Sequence, residues 1–412
     1  MNDNIKKLFS NCESCVTKPC QTGCPLNNDI TEFIRNIKND NIKGAYDALS
    51  KTTVLSPLCG RICPHTRQCQ GKCVKGVSYE AVHIGELETF VGDTALKNNW
   101  NMEVPKETKY NVAVVGAGPA GLTCAAFLRK NGIGVTIYEK HDYLGGLLMH
   151  GIPAFRLPKD IVKNVTDNIV SLGIDVKYNM ELCKNITLED LTAKHDAVFI
   201  GIGANNANQM KIPGENLEGV YGGNNILEAG NTLDYEGKTI MISGAGNVAM
   251  DVSRSAIKKG AKDVYIVYRS SEDDITADKK EVEEAKEDGV KFLFLKTITE
   301  VVGSAKVEGI KVMDNEFKEV DGKKKPTPKE GTEKIIPCDY VIMAIGSHPE
   351  DYVESINLDK NERGRILINK FGETSNEKVF SGGDIAGSNG TVAWAARAGR
   401  DAAYSIINYL NK

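Results

Sequence analysis

None of the 412 residues belongs to an apolar run long enough to span a bilayer, which excludes a helical membrane protein. The opening stretch MNDNIKKLFSNCESC lacks the uninterrupted apolar core of a signal peptide, so a cytoplasmic location is expected. Charge of one sign is scarce too: 51 basic against 55 acidic residues leave a net charge of −4, too little for a long-range field that would draw nucleic acid or an anionic membrane. Past Cys73 cysteine almost disappears, and the scattered Cys124, Cys183 and Cys338 suit buried, inert thiols. No redox-active C-x-x-C lies in the second half, and no separate substrate site is recognisable there. The length suits two or three domains of about 150 residues each.

Against these absences, residues 110–139 form a dense motif. The β-branched run Val112 to Val115 predicts a buried parallel strand, and Gly116, Gly118 and Gly121, with Pro119 and Ala120 between them, have G-x-G-x-x-G spacing before an apolar helix. Such glycines turn the chain, admit a pyrophosphate to the backbone and let helix and strand pack closely, with the anion on the helix's positive end. A second strand, Val135 to Tyr138, ends at Glu139 and Lys140. The Glu139 carboxylate is placed to accept hydrogen bonds from a ribose.

The other eight of the eleven cysteines lie between Cys12 and Cys73. In a reducing cytosol so dense a block points to metal rather than disulfides. Cys12, Cys15, Cys20 and Cys24 stand at short intervals, with Pro25 after the last; Cys59, Cys63, Cys69 and Cys73 follow, with Pro64 after Cys63. Ferredoxin-type runs wrap iron–sulfur clusters in this manner. Zinc, the alternative, would need two C-x2-C knuckles where Cys12 and Cys15 supply one. Between the two cysteine groups, Ile30, Phe33, Ile34 and Ile37, then Ile42, Ala45, Tyr46 and Leu49, predict two short helices. The first hundred residues therefore read as a small helical domain stapled by metal. The polar stretch 97–109 reads as its linker.

The apolar loop 144–160 carries Gly146, Leu147 and Arg156 and suits close approach to a flat ring system. A helix over 159–171 and strands at 175–178 and 197–204 follow, the last ending in glycines that include Gly203. A second dinucleotide unit begins at Lys238. Its strand leads into Gly244, Gly246, Asn247, Val248 and Ala249, then Asp251, and the next strand (263–270) ends in Arg269 where the first unit ended in Glu139. A carboxylate favours a free 2′-OH and an arginine accommodates a 2′-phosphate. The first unit thus reads as the FAD site and the second as a nicotinamide site leaning towards NADP.

Helix 278–288 is highly charged and predicts a solvated face, although Lys279 and Lys280 could reach the same phosphate. Residues 321–334 predict a basic, proline-containing loop. The strand ending at Gly346 is expected to return to the first domain. There a glycine turn with Gly383 and Asp384 precedes a long helix from Thr391 and Val392; Asp384 can bond a ribityl hydroxyl, and the helix N-terminus can face a reduced flavin ring.

GAGPAG, GIPAFRLP, GAGNVAMD, YRS, AIG and the GGD to AARAGRDAA segment, behind the two cysteine runs, resemble the family of the glutamate synthase small (beta) subunit. That family includes the N-terminal half of dihydropyrimidine dehydrogenase, its bacterial small-subunit counterpart and the large subunit of the electron-bifurcating ferredoxin–NADP transhydrogenase. The resemblance spans about residues 10–410. It implies an α/β fold with two Rossmann-like dinucleotide-binding domains, for FAD and NAD(P)H, the second inserted in the first, behind a small α-helical domain with two [4Fe–4S] clusters. The expected boundaries are 1–105 for the iron–sulfur domain, 106–235 with 336–412 for FAD, and 236–335 for NAD(P)H.

By the same resemblance, one cluster takes Cys12, Cys15, Cys20 and Cys73, and the other Cys24, Cys63 and Cys69. The fourth ligand of the second is a glutamine in dihydropyrimidine dehydrogenase; this sequence has Gly85-Glu86-Leu87-Glu88 there, which makes Glu88 the candidate and leaves Cys59 over. Whether Glu88 or Cys59 is the eighth ligand stays open. NADPH-specific members carry a second basic residue after YR, where this chain has Ser270 and, further on, Thr276, so NADH also stays open. The implied activity is oxidation of NAD(P)H, with electrons leaving through FAD and the clusters to a catalytic or electron-accepting subunit in a hetero-oligomer. A bifurcating transhydrogenase subunit is the alternative, and a non-catalytic flavoprotein scaffold a remote one.

Overall fold

The computed structural model describes residues 3–320 and 322–412. The chain forms two compact units: the first takes in the residues up to Met149, Ala154–Ala204 and Pro349–Lys412, and the second His150–Pro153 and Asn205–His348.

The first unit begins with short helices. Ile30–Lys38 is capped by Asp29, whose carboxylate accepts from the Glu32 N–H at 3.1 Å, and it buries Phe33, Ile34 and Ile37. Ile42–Ser50 follows, capped by the Asn41 side chain, and packs on its neighbour. Ser56–Ile62 pairs closely with Ile84–Lys97: Gly60 and Gly92 sit where a Cβ would strike Thr89 or Pro57 at 2.5–2.7 Å, so both contacts require glycine. Few apolar residues are available here, and close helix contact supplements what the core lacks.

Behind this domain stands a five-stranded parallel sheet. Strand Asn111–Val115 pairs with Gly134–Tyr138 on one side and Ala197–Ile200 on the other, with Asp175–Lys177 and Val379–Ser381 at the two edges. Strand order therefore reverses at Asn111–Val115, and the crevice at its carboxyl end is where open α/β sheets bind nucleotides. Helices Pro119–Lys130 and Val392–Leu410 pack against each other beside it. The contact is made by Gly399, where a Cβ would lie 2.0 Å from the Ala120 carbonyl oxygen.

The second unit holds another five-stranded parallel sheet, centred on Thr239–Ser243 with Asp263–Tyr268 to one side. On its other side lies Tyr340–Met343, which the sequence assigned to the first domain. The assignment is corrected by backbone pairing: this apolar strand fills the slot between Thr239–Ser243 and Val220–Gly222, and the chain leaves the unit only after His348. A second correction concerns 321–334. Asp321 lies outside the described residues, but Lys323–Pro328 is a strand paired antiparallel with Gly309–Val320. Pro326 and Pro328 are tolerated because that strand is the edge of its sheet. The charged helix Lys279–Glu287 forms as expected, and Arg254 on Asn247–Lys258 ties it down, reaching Glu281 at 3.2 Å and Asp288 at 2.7 Å. No helix among the described residues is long and apolar enough to cross a membrane.

Candidate flavin, nicotinamide and iron–sulfur sites

At the reversal point of the first sheet, each glycine of the first motif has a separate steric reason. Gly116 has φ +92° and lies against the Gly201 carbonyl; a Cβ on Gly121 would fall 1.9 Å from the Gly116 oxygen. Around Gly118 nothing lies within 4 Å of a would-be Cβ, which leaves an open cradle at the amino end of helix Pro119–Lys130. An anion fits there, beside free N–H groups and the positive end of the helix dipole. Gly145 donates its N–H to Ala117 O at 2.9 Å, and Gly146, at φ +53°, comes within reach of Gly118 Cα. The loop containing Leu147 is thereby folded onto the pyrophosphate cradle.

Glu139 is 4% exposed. Its carboxylate accepts the Ala117 N–H at 2.7 Å and the His141 N–H at 3.0 Å, so it is fixed in place before any ribose arrives. A carboxylate has about four acceptor sites, and two remain. Neighbouring Lys140 pairs instead with Glu350 at 3.7 Å. Arg156 sits half-buried beyond the glycine loop, and Gly203, at φ +77°, follows strand Ala197–Ile200. On the opposite wall Gly383, at φ +83°, rests on Ala120, and Asp384 accepts from Ser388 Oγ at 2.7 Å. Thr391 caps the long helix through the Trp394 N–H, and Val392 opens it. The donors and the cradle fit an FAD.

Within the second unit Gly244, at φ +110°, packs against the Ala344 carbonyl, a contact that needs strand Tyr340–Met343 beside it. Gly246 caps helix Asn247–Lys258 and faces open space bounded by Thr276 Oγ1 at 3.6 Å. Asn247 Oδ1 accepts the Asp278 N–H at 3.0 Å, holding the loop after Arg269 over the glycines. Val248 lies over Gly223, Ala249 and Asp251 are buried, and Gly346 accepts the Asn208 N–H within this unit. Arg269 is exposed, and its carbonyl accepts from Asn315 Nδ2 at 2.7 Å, which fixes the backbone while the guanidinium stays in solvent. Arg269→Ala is expected to leave FAD bound and to raise KM for NADPH about ten- to a hundredfold more than for NADH, the worth of one charge-assisted hydrogen bond of roughly 1.5–3 kcal/mol. Equal rises would take Arg269 out of the phosphate site.

The cysteine loops converge in two groups. Cys12 and Cys73 lie close to Cys20; burial chiefly, with those two neighbours adding to it, pushes the Cys20 thiol up to about 11. Cys15 faces Lys75, which is ion-paired with Glu13, beside the same loop. The second group holds Cys24, Cys63, Cys69 and Glu88, and also Cys59, which the sequence left over. Burial pushes the Cys24 thiol up to about 12, with Glu88 contributing, and the Glu88 carboxyl up to about 8. Asn28 Nδ2 reaches Glu88 at 3.5 Å, and Thr52 orients that amide from its other end. Protonated thiols packed this tightly, with few other partners, are what a thiolate-binding centre looks like before metal displaces the protons. Thiols in both groups, with a carboxyl in the second, fit iron–sulfur clusters.

Three residues that matter here were not singled out from the sequence. Arg400, 9% exposed, donates to Leu26 O at 2.7 Å and Thr52 O at 3.2 Å, and Arg397 donates to Pro25 O at 3.3 Å, so the flavin-side helix clamps the loop after Cys24. At the start of that helix the Ala393 backbone lies near the Cys63 thiol and is one of the influences on it. The AARAGRDAA segment carries the two arginines; nothing in it marks their partners.

The pyridine nucleotide-disulphide oxidoreductase family matches residues 110–402, and the family described as dihydropyrimidine dehydrogenase domain II, 4Fe-4S cluster, matches residues 2–100. The chain is 35% identical to the glutamate synthase [NADPH] small chain of Escherichia coli K12, covering 98% of this chain and 91% of that one. It is 34% identical to the protein of the same name from Halomonas elongata, covering 97% and 89%. Among solved structures, FprA from Mycobacterium tuberculosis in complex with NADPH superposes with a TM-score of 0.66 at 20% identity, over 74% of this chain and 85% of that one, a likeness of fold.

Proposed function

The chain belongs to the glutamate synthase small-chain-like family, as an FAD and iron–sulfur oxidoreductase of the NADPH-linked type, and from that premise we propose that it is the NAD(P)H-oxidising electron-input subunit of a larger reductase. It would act in the cytoplasm, within a hetero-oligomer whose partner subunit holds the final substrate. When bound, FAD supplies the conversion between a two-electron hydride donor and one-electron acceptors.

The single observation that carries the reading is the pair of bonds from Arg400 to Leu26 O at 2.7 Å and Thr52 O at 3.2 Å. Arg400 stands on the helix capped by Thr391, whose amino end walls the flavin cradle, so the flavin site and the loop after Cys24 share one rigid element. Glu139 and the glycine loops orient the dinucleotide, and the helix end stabilises negative charge nearby; no nucleophile or general base is called for. The first cysteine group is the more exposed, with Val16 and Val77, near Cys15 and Cys73, 97% and 87% exposed. That supports an exit towards a partner.

Anaerobically purified chain should contain about eight iron and eight sulfide, and should reduce viologens or ferricyanide with NAD(P)H while leaving glutamine with 2-oxoglutarate, and pyrimidines, untouched. Zinc in place of iron, or turnover of either substrate by the isolated chain, would sink the proposal. Identification of the subunit that co-purifies then separates glutamine-, pyrimidine- and ferredoxin-linked acceptors.

A further inference from the structure

The turn that follows Arg269 carries a carboxylate folded back on the strand end. Strand Asp263–Tyr268 runs into exposed Arg269 and buried Ser270, and Glu272–Asp274 then make one tight turn capped by Ser271. Asp274 Oδ2 accepts the Ser271 N–H at 3.1 Å and the Ser271 hydroxyl at 2.7 Å, while the Asp274 N–H returns to Ser271 O at 3.2 Å. Tyr268, the last residue of the strand, donates its hydroxyl to Asp274 O at 2.7 Å. The carboxylate is thereby fixed against backbone two residues past Arg269.

This turn leads directly over the second glycine motif. The Ala277 N–H donates to Ala245 O at 3.1 Å, Thr276 Oγ1 donates to the same carbonyl at 3.3 Å, and Asn247 holds the Asp278 N–H. A coenzyme laid on that motif brings its adenosine ribose to the strand end, where an arginine accommodates a 2′-phosphate. Such a phosphate carries up to about two negative charges and draws on N–H and O–H donors. At Ser271 both donors are already taken, and by a group of the phosphate's own sign. Among the described residues Asp274 makes no ion pair; the Lys286 ammonium pairs with Glu272 instead. A ribose 2′-OH, unlike a phosphate, can donate to a carboxylate, and Asp274 Oδ1 is not engaged by Ser271.

Resting on the reading of the second unit as the nicotinamide site, we propose that Asp274 is a specificity-determining residue that opposes the 2′-phosphate. Arg269 attracts that group, Asp274 repels it, and the balance lets the site take NADH alongside NADPH.

The test is calorimetric binding of NADP⁺ and NAD⁺ to the full-length chain with FAD and clusters in place, since the oxidised coenzymes bind without turnover. Asp274→Asn keeps an oxygen acceptor for Ser271 and removes the charge. It should bind NADP⁺ about tenfold more tightly, the scale of one like-charge contact, with NAD⁺ affinity unchanged or lower. The gain should shrink at high salt, which screens exposed charges. Asp273→Asn, on the same exposed turn, should change the NADP⁺ to NAD⁺ ratio far less. An equal gain in Asp273→Asn would assign the effect to the net charge of the turn, and equal changes for both coenzymes in Asp274→Asn would make Asp274 a structural residue; either result overturns the proposal, as does an unchanged NADP⁺ affinity. Wild-type chain that binds neither coenzyme would instead overturn the nicotinamide-site reading, and this inference with it.

Discussion

Gly399→Ala should give a chain that folds poorly and retains little FAD. Gly399 lies in the middle of helix Val392–Leu410, where alanine is otherwise the better helix former by about 1 kcal/mol. Helix propensity alone therefore predicts stabilisation. Packing predicts the reverse, because the new Cβ would stand 2.0 Å from the Ala120 carbonyl oxygen, with the Ala120 carbonyl carbon at 2.8 Å. The obstacle is backbone and cannot rotate away. Overpacking of this kind costs about 1–3 kcal/mol or more, which outweighs the propensity gain.

Ala120 lies in the first turn of helix Pro119–Lys130, between Gly118 and Gly121, so any relief by moving the helices apart reshapes the pyrophosphate cradle and draws Gly383 off Ala120. The same shift would pull Arg400 from Leu26 O and disturb the second cysteine group. Flavin absorbance per chain and urea unfolding measure the two consequences. Full flavin content with unchanged stability would show that the helices can separate at no cost, and that the close crossing is incidental to flavin binding.

A loss of comparable size, in turnover rather than folding, is expected for Cys20→Ala. Cys20 is grouped with Cys12 and Cys73 in the more exposed of the two cysteine groups, and its removal leaves that centre short of a thiolate. The bonds of Glu139 to Ala117 and His141 and of Asp384 to Ser388 do not involve this group, so NAD(P)H-driven bleaching of the flavin should proceed at the wild-type rate. Turnover of the reconstituted complex should drop to background, because the route to the partner is interrupted. Stopped-flow bleaching and steady-state turnover on the same preparation separate the steps. Undiminished turnover after verified loss of the cluster would show that electrons leave the flavin by another path.

Much of this molecule is written in short segments. The strands at 111–115 and 239–243 are legible because a β-branched run followed by three spaced glycines needs only its neighbours in sequence to specify turn, cradle and helix start. The iron–sulfur helices follow from apolar periodicity, and Glu139 from its place at a strand end. The pairing of Tyr340–Met343 is different, since an apolar strand suits either parallel sheet and only the slot beside Gly244 decides which one receives it. Lys323–Pro328 read as a loop because lysines and prolines disfavour strands in general, and an edge position excuses both.

The cysteine block by itself determined that metal is held, from the count and the short intervals. Which cysteines gather was decided by tertiary structure: Cys24 meets Cys63 and Cys69, far from it in sequence, only in the folded chain. Arg400 arrives from the far end of the chain, 374 residues from its partner Leu26. Glycine spacing, periodicity and charge act within a turn or two of backbone, so a sequence displays them directly. A hydrogen bond closed across several hundred residues exists only once the first sheet and the helices of its own unit have packed.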